Sequence, residues 1–317
     1  MSKGNYYPNT VQFELVQGCN RKCEFCGTVG MERKLHYITP QVLKKQCDLI
    51  RGSGKNPRIL LAGHGENTLH PEFFSCIKVM RKFMPNQWIQ LLNNGYLIKK
   101  DIRNIARMWD AGLNDVTMDE YSDSRFDHAE LESICKAYEK KTGIPVDFEI
   151  MGAGCNLYAP KNIKRRRLLV VPPIDVKEIT MSRKLTNHCG AGSPPDTSCK
   201  DKVCTRIFRE MSFRWDGSVC ICCQDFRGQY FVENAMNVET FDELWFHERF
   251  EAARRITFHD KRTFFPCSIC DHIPMRCGLL PDKFGKDEMP KPTKADYKTV
   301  NTKFEPRVDI ILREWEK

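Results

Sequence analysis

Short apolar and β-branched runs recur along the first half of the chain, separated by longer segments whose apolar positions repeat at helical spacing. The runs at 10–16, 58–62, 88–92, 113–118, 145–151 and 174–181 have the length and flanking turn residues of strands. Between them, 40–50, 71–83, 99–109 and 129–141 carry the pattern of one-sided helices. Thr39, Pro71 and Asp101 stand where a cap or a first-turn residue is expected. A fifth link, 160–168, is shorter and is read as helix-like. Strands alternating with helices imply parallel βα units. The expected fold class is α/β: a partial (β/α)6 TIM-like barrel whose working face lies at the strand C-termini.

Near Thr186 the alternation stops, and Cys, Gly and Pro become dense in Asn187-His-Cys-Gly-Ala-Gly-Ser-Pro-Pro195. A boundary there divides the chain into a barrel over 1–185, a cysteine-rich extension over 186–280 and a basic, loosely attached tail over 281–317. Within the extension, 211–215 and 218–222 flank Asp216-Gly217, a hairpin turn signal, and 241–256 reads as one amphipathic helix.

Composition sharpens this picture. A chain of 317 residues with 41% hydrophobic and 29% charged residues can bury a large core, and no apolar run is long enough to span a bilayer. The opening residues Met1 to Pro8 lack a secretory signal, so the expectation is a cytoplasmic protein with no membrane partner. Sixteen cysteines exceed what packing needs, and disulfides rarely persist in a reducing compartment, so metal or cluster ligation is the better account. Nine of them fall between Cys189 and Cys277. The net charge of +9 favours an anionic partner, nucleic acid included. Much of the excess lies in Lys164-Arg165-Arg166-Arg167, read as a solvated face, and in the Lys-rich tail.

The most specific chemical signal is Cys19-Asn-Arg-Lys-Cys23-Glu-Phe-Cys26, directly after the first expected strand. Three thiolates on one tight loop can hold three irons of a four-iron cluster and leave the fourth open, which a purely structural site does not require. The spacing resembles the hallmark of the radical S-adenosylmethionine superfamily. Three further elements follow the next three strands in the order the resemblance implies. Gly63-His-Gly65-Glu66-Asn67 is similar to the Gly-Gly-Glu-Pro motif, Asn93-Asn94-Gly95 to the Thr-Asn-Gly element, and Thr117-Met118-Asp119 to the Ser-x-Asp element. The one departure is Asn67 in place of proline. The resemblance implies Cys19, Cys23 and Cys26 as ligands of the cluster that binds S-adenosylmethionine. It implies Phe25, Gly65, Glu66, Asn94 and Thr117 as cofactor-binding positions.

The second signal is Cys204, Cys222, Cys267 and Cys270, with gaps of 18, 45 and 3 positions. Cys204-x12-Gly217-x4-Cys222 resembles the opening of the SPASM extension. The C-x2-C-x5-C-x3-C continuation of a full SPASM domain is absent, so the better resemblance is to the shortened Twitch form, which implies one auxiliary four-iron cluster on these residues. The gaps resemble those of a Twitch enzyme that oxidises 2-deoxy-scyllo-inosamine. Taken alone, the paired cysteines fit a zinc knuckle equally well. Cys189, Cys199, Cys220, Cys223 and Cys277 are unassigned, and any of them can replace a named ligand. Cys47, Cys76 and Cys135 fit helix packing.

Strand-end residues that can face the barrel lumen include Glu14, Glu149, Arg183, Asn187 and His188. Glu149 or His188 is the expected general base. The expected function is reductive cleavage of S-adenosylmethionine and hydrogen abstraction, giving a two-electron oxidation of an alcohol or amine carbon of a small molecule, with flavodoxin or ferredoxin as electron donor. Radical isomerisation of a nucleotide or DNA base, peptide maturation, and a non-catalytic zinc-stabilised nucleic-acid-binding module stand as alternatives.

Overall fold

The computed structural model describes residues 7–23, 25–28, 31, 34–152, 162–174, 187–191, 203–272 and 289–302. In chain order, its barrel part contains strands β1 (Thr10–Phe13), β2 (Val16–Gln17), β3 (His36–Tyr37), β4 (Arg58–Leu61), β5 (Ile89–Asn93), β6 (Asp115–Tyr121), β7 (Val146–Ile150) and β8 (Arg166–Ile174). Its helices are α1 (Pro40–Gly52), α2 (Phe73–Phe83), α3 (Tyr96–Lys100), α4 (Asn104–Ala111) and α5 (His128–Thr142). β1, β4, β5, β6 and β8 run parallel side by side, and β7 pairs with β8 at the edge. β1, β4, β5 and β6 are largely buried on both faces, as a parallel sheet covered by helices requires, whereas the edge strand β7 is only half-buried. β2 and β3 form a separate two-stranded ribbon.

Local chemistry explains most of the boundaries. Thr39 caps α1 by accepting the Val42 N–H at 3.3 Å, with Pro40 in the first turn. Asp127 caps α5 in the same way, and Gly143, at φ 71°, ends it. The helix expected over 99–109 is instead two pieces. Asp101 is extended and its carboxylate accepts the Arg103 N–H at 3.0 Å, a local bond that competes with a continuing helix.

The C-terminal end of the barrel differs more from the sequence expectation. Residues 160–168 do not form a helical link in their described part: Arg166 opens β8, which ends where the sixth strand, 174–181, was expected to begin. Residues 175–181 lie outside the described residues. β8 also inserts between β6 and β7, so the last two strands exchange places in the sheet. Ion pairs line both sides of the inserted strand. Arg167 is 2% exposed and donates to Asp115 at 3.3 Å on one side and to Glu149 at 2.7 Å on the other. Arg165 pairs with Asp147. The end of the basic run, Arg167, is therefore the seam of a strand, while Lys164 remains exposed as a solvated face would be.

The cysteine-rich part continues the same sheet. β9 (Glu210–Phe213) lies parallel to β1 on the edge opposite β4, and β10 (Ser218–Cys220) and β11 (Phe231–Asn234) add antiparallel strands beyond it. The β9–β10 turn forms as read: Gly217 has φ 86°, and the Asp216 carboxylate accepts the Ser218 N–H at 3.0 Å. The helix expected over 241–256 is divided into α6 (Phe241–Trp245) and α7 (Glu248–Asp260), with the His247 ring capping the second by accepting the Arg249 N–H. The tail is not wholly loose. α8 (Lys294–Asn301) opens with a Thr293/Asp296 capping box and packs on α7, where Asp296 pairs with Arg255. No helix among the described residues is long and apolar enough to cross a membrane.

Candidate functional site

Cys19, Cys23 and Cys26 line one cleft of about 200 Å³, partly open to solvent, at the C-terminal ends of β1, β4, β5 and β6. The loop that carries them is tied down from below. Gly18 donates to the His64 carbonyl at 3.2 Å, and Glu66 donates to the Gly18 carbonyl at 2.9 Å. A Cβ on Gly65 would fall 2.4 Å from the carbonyl oxygens of Val16 and Gly18, so only glycine permits this approach. Arg21 fastens the outer side: its guanidinium lies 3.8 Å from the Tyr121 ring centroid and donates to both carboxylate oxygens of Asp123, at 2.7 and 3.0 Å.

The floor is acidic. Glu66 is 3% exposed, accepting the Asn94 N–H at 2.8 Å on one oxygen and both Thr68 donors on the other. Burial raises its carboxyl above the ordinary range, although these bonds oppose the shift. Burial first and the neighbouring Glu66 second push the Asp119 carboxyl up to about 7. Two buried carboxyls beside three thiols favour a cationic ligand, because its charge offsets the desolvation that both acids suffer. A three-thiol loop next to such a floor fits a cluster with one open iron holding a ligand that carries an ammonium group.

Of the expected cofactor positions, Phe25, Gly65, Glu66 and Asn94 line this cleft. Thr117 is not among the lining residues: its hydroxyl donates to Asp115 at 2.9 Å and accepts from Gln90 at 3.0 Å inside the barrel. Asp119 and Tyr121, two and four residues further along the same face of β6, line the cleft instead. The expected bases are far apart in role. Glu149 sits on the edge strand engaged by Arg167, whereas His188 lies at the junction between the cleft and the cysteine-rich part. The His188 ring packs on Phe226 at 4.4 Å and meets Gln224 at 3.1 Å, and burial holds its pKa near 4.

Phe226 is the contact point. Its ring also packs edge-on against His64 at 4.6 Å, and a Cβ on Gly27 would lie 2.6 Å from it and 3.0 Å from the His188 Cβ. His64 in turn is hydrogen-bonded to Glu14, both wholly buried. Burial would raise the Glu14 carboxyl, but Arg214 and His64 hold it below its usual range. Glu14 is thus a buried partner of His64 and not a group open to the lumen. His64 has a cue in the sequence only as the variable position of the Gly-x-Gly-Glu loop.

On the far side, Cys204, Cys222, Cys267 and Cys270 gather in the extension, close enough for charge on Cys222, Cys204 or Cys270 to raise the buried Cys267 thiol. Cys189, left unassigned by the sequence, is buried in the same part, on a turn that Asn187 ties to Ile269 and Asp271 on either side of Cys270. Cys220 and Cys223 are engaged elsewhere, by Arg214 at 3.8 Å and by Arg206 at 3.0 Å. Cys199 and Cys277 lie outside the described residues.

The family model described as the Radical SAM superfamily matches residues 13–168. The chain belongs to the radical SAM superfamily. A second model, described as the SPASM iron-sulfur cluster-binding domain, matches residues 204–271. The chain is therefore a radical SAM enzyme, whose cofactors are S-adenosylmethionine and a four-iron cluster together with auxiliary iron-sulfur ligation in the SPASM part. The non-catalytic zinc reading is set aside. Among solved structures, the chain is similar to BtrN in complex with AdoMet and 2-DOIA, with a TM-score of 0.62 and 14% identity, covering 84% of this chain and 94% of that one. An open conformation of BtrN gives a TM-score of 0.57 at 12% identity, covering 85% and 94%. Streptococcus suis SuiB bound to its precursor peptide SuiA gives 0.41 at 13% identity, covering 84% and 70%. No curated protein matches the sequence.

Proposed function

We propose that this radical SAM enzyme carries out a two-electron oxidation of an alcohol or amine carbon in a small molecule. Cys19, Cys23 and Cys26 would hold the radical-generating cluster, and Cys204, Cys222, Cys267 and Cys270 would hold one auxiliary cluster, which would supply an acceptor for the second electron. The observation that carries the reading is that the two thiol-bearing parts adjoin: Gly27, next to Cys26, packs against Phe226 and His188, and His188 precedes the buried Cys189. When bound, the first cluster and S-adenosylmethionine supply a 5'-deoxyadenosyl radical that removes a hydrogen atom from the substrate.

The chain's own residues do the rest. Glu66 and Asp119 bind the amino group of S-adenosylmethionine, Asn94 holds Glu66 in place through its backbone N–H, and Phe25 walls the cleft. Oxidising a hydroxyl- or amine-bearing carbon releases a proton as well as an electron, and His188 takes that proton. Burial holds its pKa near 4, so the ring is neutral at pH 7 and able to accept but is a weak base, and the proton it takes must come from a strongly acidic radical intermediate. A reduced flavodoxin or ferredoxin supplies the first electron. The small-molecule reading is favoured over nucleic acid because half of the basic run is engaged by carboxylates of the same sheet, Arg165 by Asp147 and Arg167 by Asp115 and Glu149. BtrN, which binds AdoMet and 2-DOIA, supplies an architectural precedent over 94% of its length.

The test is anaerobic iron and sulfide analysis of the reconstituted protein beside a C19A/C23A/C26A variant, with a dithionite-driven assay for 5'-deoxyadenosine. About eight irons should fall to about four in the variant, with 5'-deoxyadenosine formation abolished. Iron unchanged in the variant would refute the ligand assignment. In a screen of deuterated alcohols and amines, label should pass into 5'-deoxyadenosine. His188→Gln should keep that transfer while lowering product formation about 100-fold. An unchanged product yield would remove His188 from the mechanism.

A further inference from the structure

Asn67 stands where the Gly-Gly-Glu-Pro motif has proline, so no ring fixes the backbone just after Glu66. Bonds from the end of β1 hold that stretch instead. The Asn67 side-chain oxygen accepts the Leu15 N–H at 2.7 Å, and its amide nitrogen donates to the Ala62 carbonyl at 3.4 Å. Two residues before Glu66, the His64 N–H donates to one carboxylate oxygen of Glu14 at 3.1 Å, and the His64 ring bonds the same oxygen. The His64 carbonyl is engaged as well, accepting the Gly18 N–H at 3.2 Å. Glu14, His64 and Asn67 are all buried, so water does not compete for these bonds. Close approach is built in: Gly63 has a φ of 127°, and a Cβ on it would lie 3.3 Å from the Glu14 Cβ. The second Glu14 oxygen faces the extension, 3.5 Å from the Trp215 N–H and 3.9 Å from the Arg214 guanidinium. A carboxylate receiving such donors makes charge-assisted bonds, stronger than those between neutral groups.

We propose that Glu14 and Asn67 are positioning residues for Glu66, gripping the loop on either side of it so that its carboxylate stands where an ammonium group enters the cleft. Glu14 and Leu15 are consecutive, so both grips start from the end of one central strand. Neither Glu14 nor Asn67 is among the described residues that line the cleft, and both act through Glu66 alone. The consequence is selective. Releasing either grip lets Glu66 drift from the ammonium group and leaves contacts with the rest of the ligand in place. The proposal rests on the reading of Glu66 in the preceding section as a group that receives the amino group of S-adenosylmethionine.

The test measures binding, not turnover. The cluster-loaded full chain is equilibrated anaerobically, without reductant, with S-adenosylmethionine or with an analogue that lacks its amino group, and Kd is read by equilibrium dialysis. Glu14→Gln and Asn67→Ala should each weaken S-adenosylmethionine about 10-fold and change binding of the analogue by less than about twofold. In a Glu66→Gln background neither substitution should weaken S-adenosylmethionine further, because the group they position is gone. The proposal is overturned if the variants weaken both ligands alike, as a merely structural role would, or if S-adenosylmethionine binds them as it binds the parent chain. If Glu66→Gln alone leaves the preference for the amino group intact, the reading of Glu66 falls, and this proposal with it. Asn67→Ala keeps the buried Glu14 and Arg214 pair, so the proposal is still tested if Glu14→Gln fails to fold.

Discussion

Gly27 and Phe226 meet where the two thiol-bearing parts of the molecule touch. A methyl group on Gly27 would lie 2.6 and 2.7 Å from two carbons of the Phe226 ring, a distance that packed atoms do not tolerate. Gly27→Ala should therefore destabilise the protein by about 1–3 kcal/mol, and Phe226→Leu in the same chain should restore part of the loss, both read from denaturant midpoints. An additive double variant would mean that the ring and the glycine are not pressed together. Asp119 gives a second residue-level expectation. Its carboxyl, raised from 3.8 to about 7, keeps a proton in the folded apoprotein that the unfolded chain releases from about pH 4 upward. The folded state thus binds more protons across that window, and its stability falls as pH rises from about 4 to about 7. Asp119→Asn should flatten the fall, measured by urea unfolding of apoprotein at about pH 5 and about pH 7.5; an unchanged slope would assign the pH dependence elsewhere. Much of this cleft was legible, because cysteine spacing and a Gly-x-Gly-Glu loop are local patterns. The Thr117-Met118-Asp119 element fixes a segment, whereas which member reaches the cleft depends on how far along β6 the lumen ends. The placement of Cys189 depends on bonds from Asn187 to residues more than eighty positions away, and no local pattern encodes them.

Among the elements, β1 and β4 lie inside the runs that hydrophobic pattern assigned to them, and β5 and β6 begin inside theirs but run on to Asn93 and Tyr121, since each is short, apolar and flanked by turns. β8 was missed because arginine side chains dominate its start, and their role depends on Asp115, Asp147 and Glu149 in neighbouring strands. The two divided helices show the same limit on a smaller scale: Asp101 and His247 each satisfy a backbone N–H two residues on, and so open a new turn where periodicity alone would continue the old one. α8 was read as tail because its sequence is polar, yet it is held by specific bonds. The Asp296 carboxylate accepts from the Thr293 N–H at 2.7 Å and the Thr293 hydroxyl at 2.9 Å while pairing with Arg255. Asp296→Ala should remove cap and pair together, weakening the docking of α8 by about 1–2 kcal/mol. Limited proteolysis should then cut within 289–302 several-fold faster, without a matching change in global unfolding. Equal cleavage rates would show that α8 is held by its apolar face alone.

At the scale of the molecule, the boundary drawn at residue 186 divides ligand sets but not the sheet. β9 pairs along the whole of β1, and the joint is reinforced by Gln17, which accepts from the Trp215 indole at 2.8 Å and the Arg214 guanidinium at 2.9 Å. Gln46 of α1 adds a bond to the Arg214 carbonyl at 2.9 Å. Two parts sharing a central strand cannot melt independently, so chemical unfolding should follow one transition by both near- and far-ultraviolet circular dichroism. Separate midpoints would show the extension to be an autonomous domain. The shared strand also bears on how the protein is made. β1 leaves the ribosome almost two hundred residues before its second partner, β9, and until then its outer edge is a row of unsatisfied donors and acceptors on an apolar strand. The nascent barrel is in this sense a half-zipped garment, prone to fasten onto the wrong neighbour, and expression of residues 1–185 alone would fix that vulnerable moment permanently.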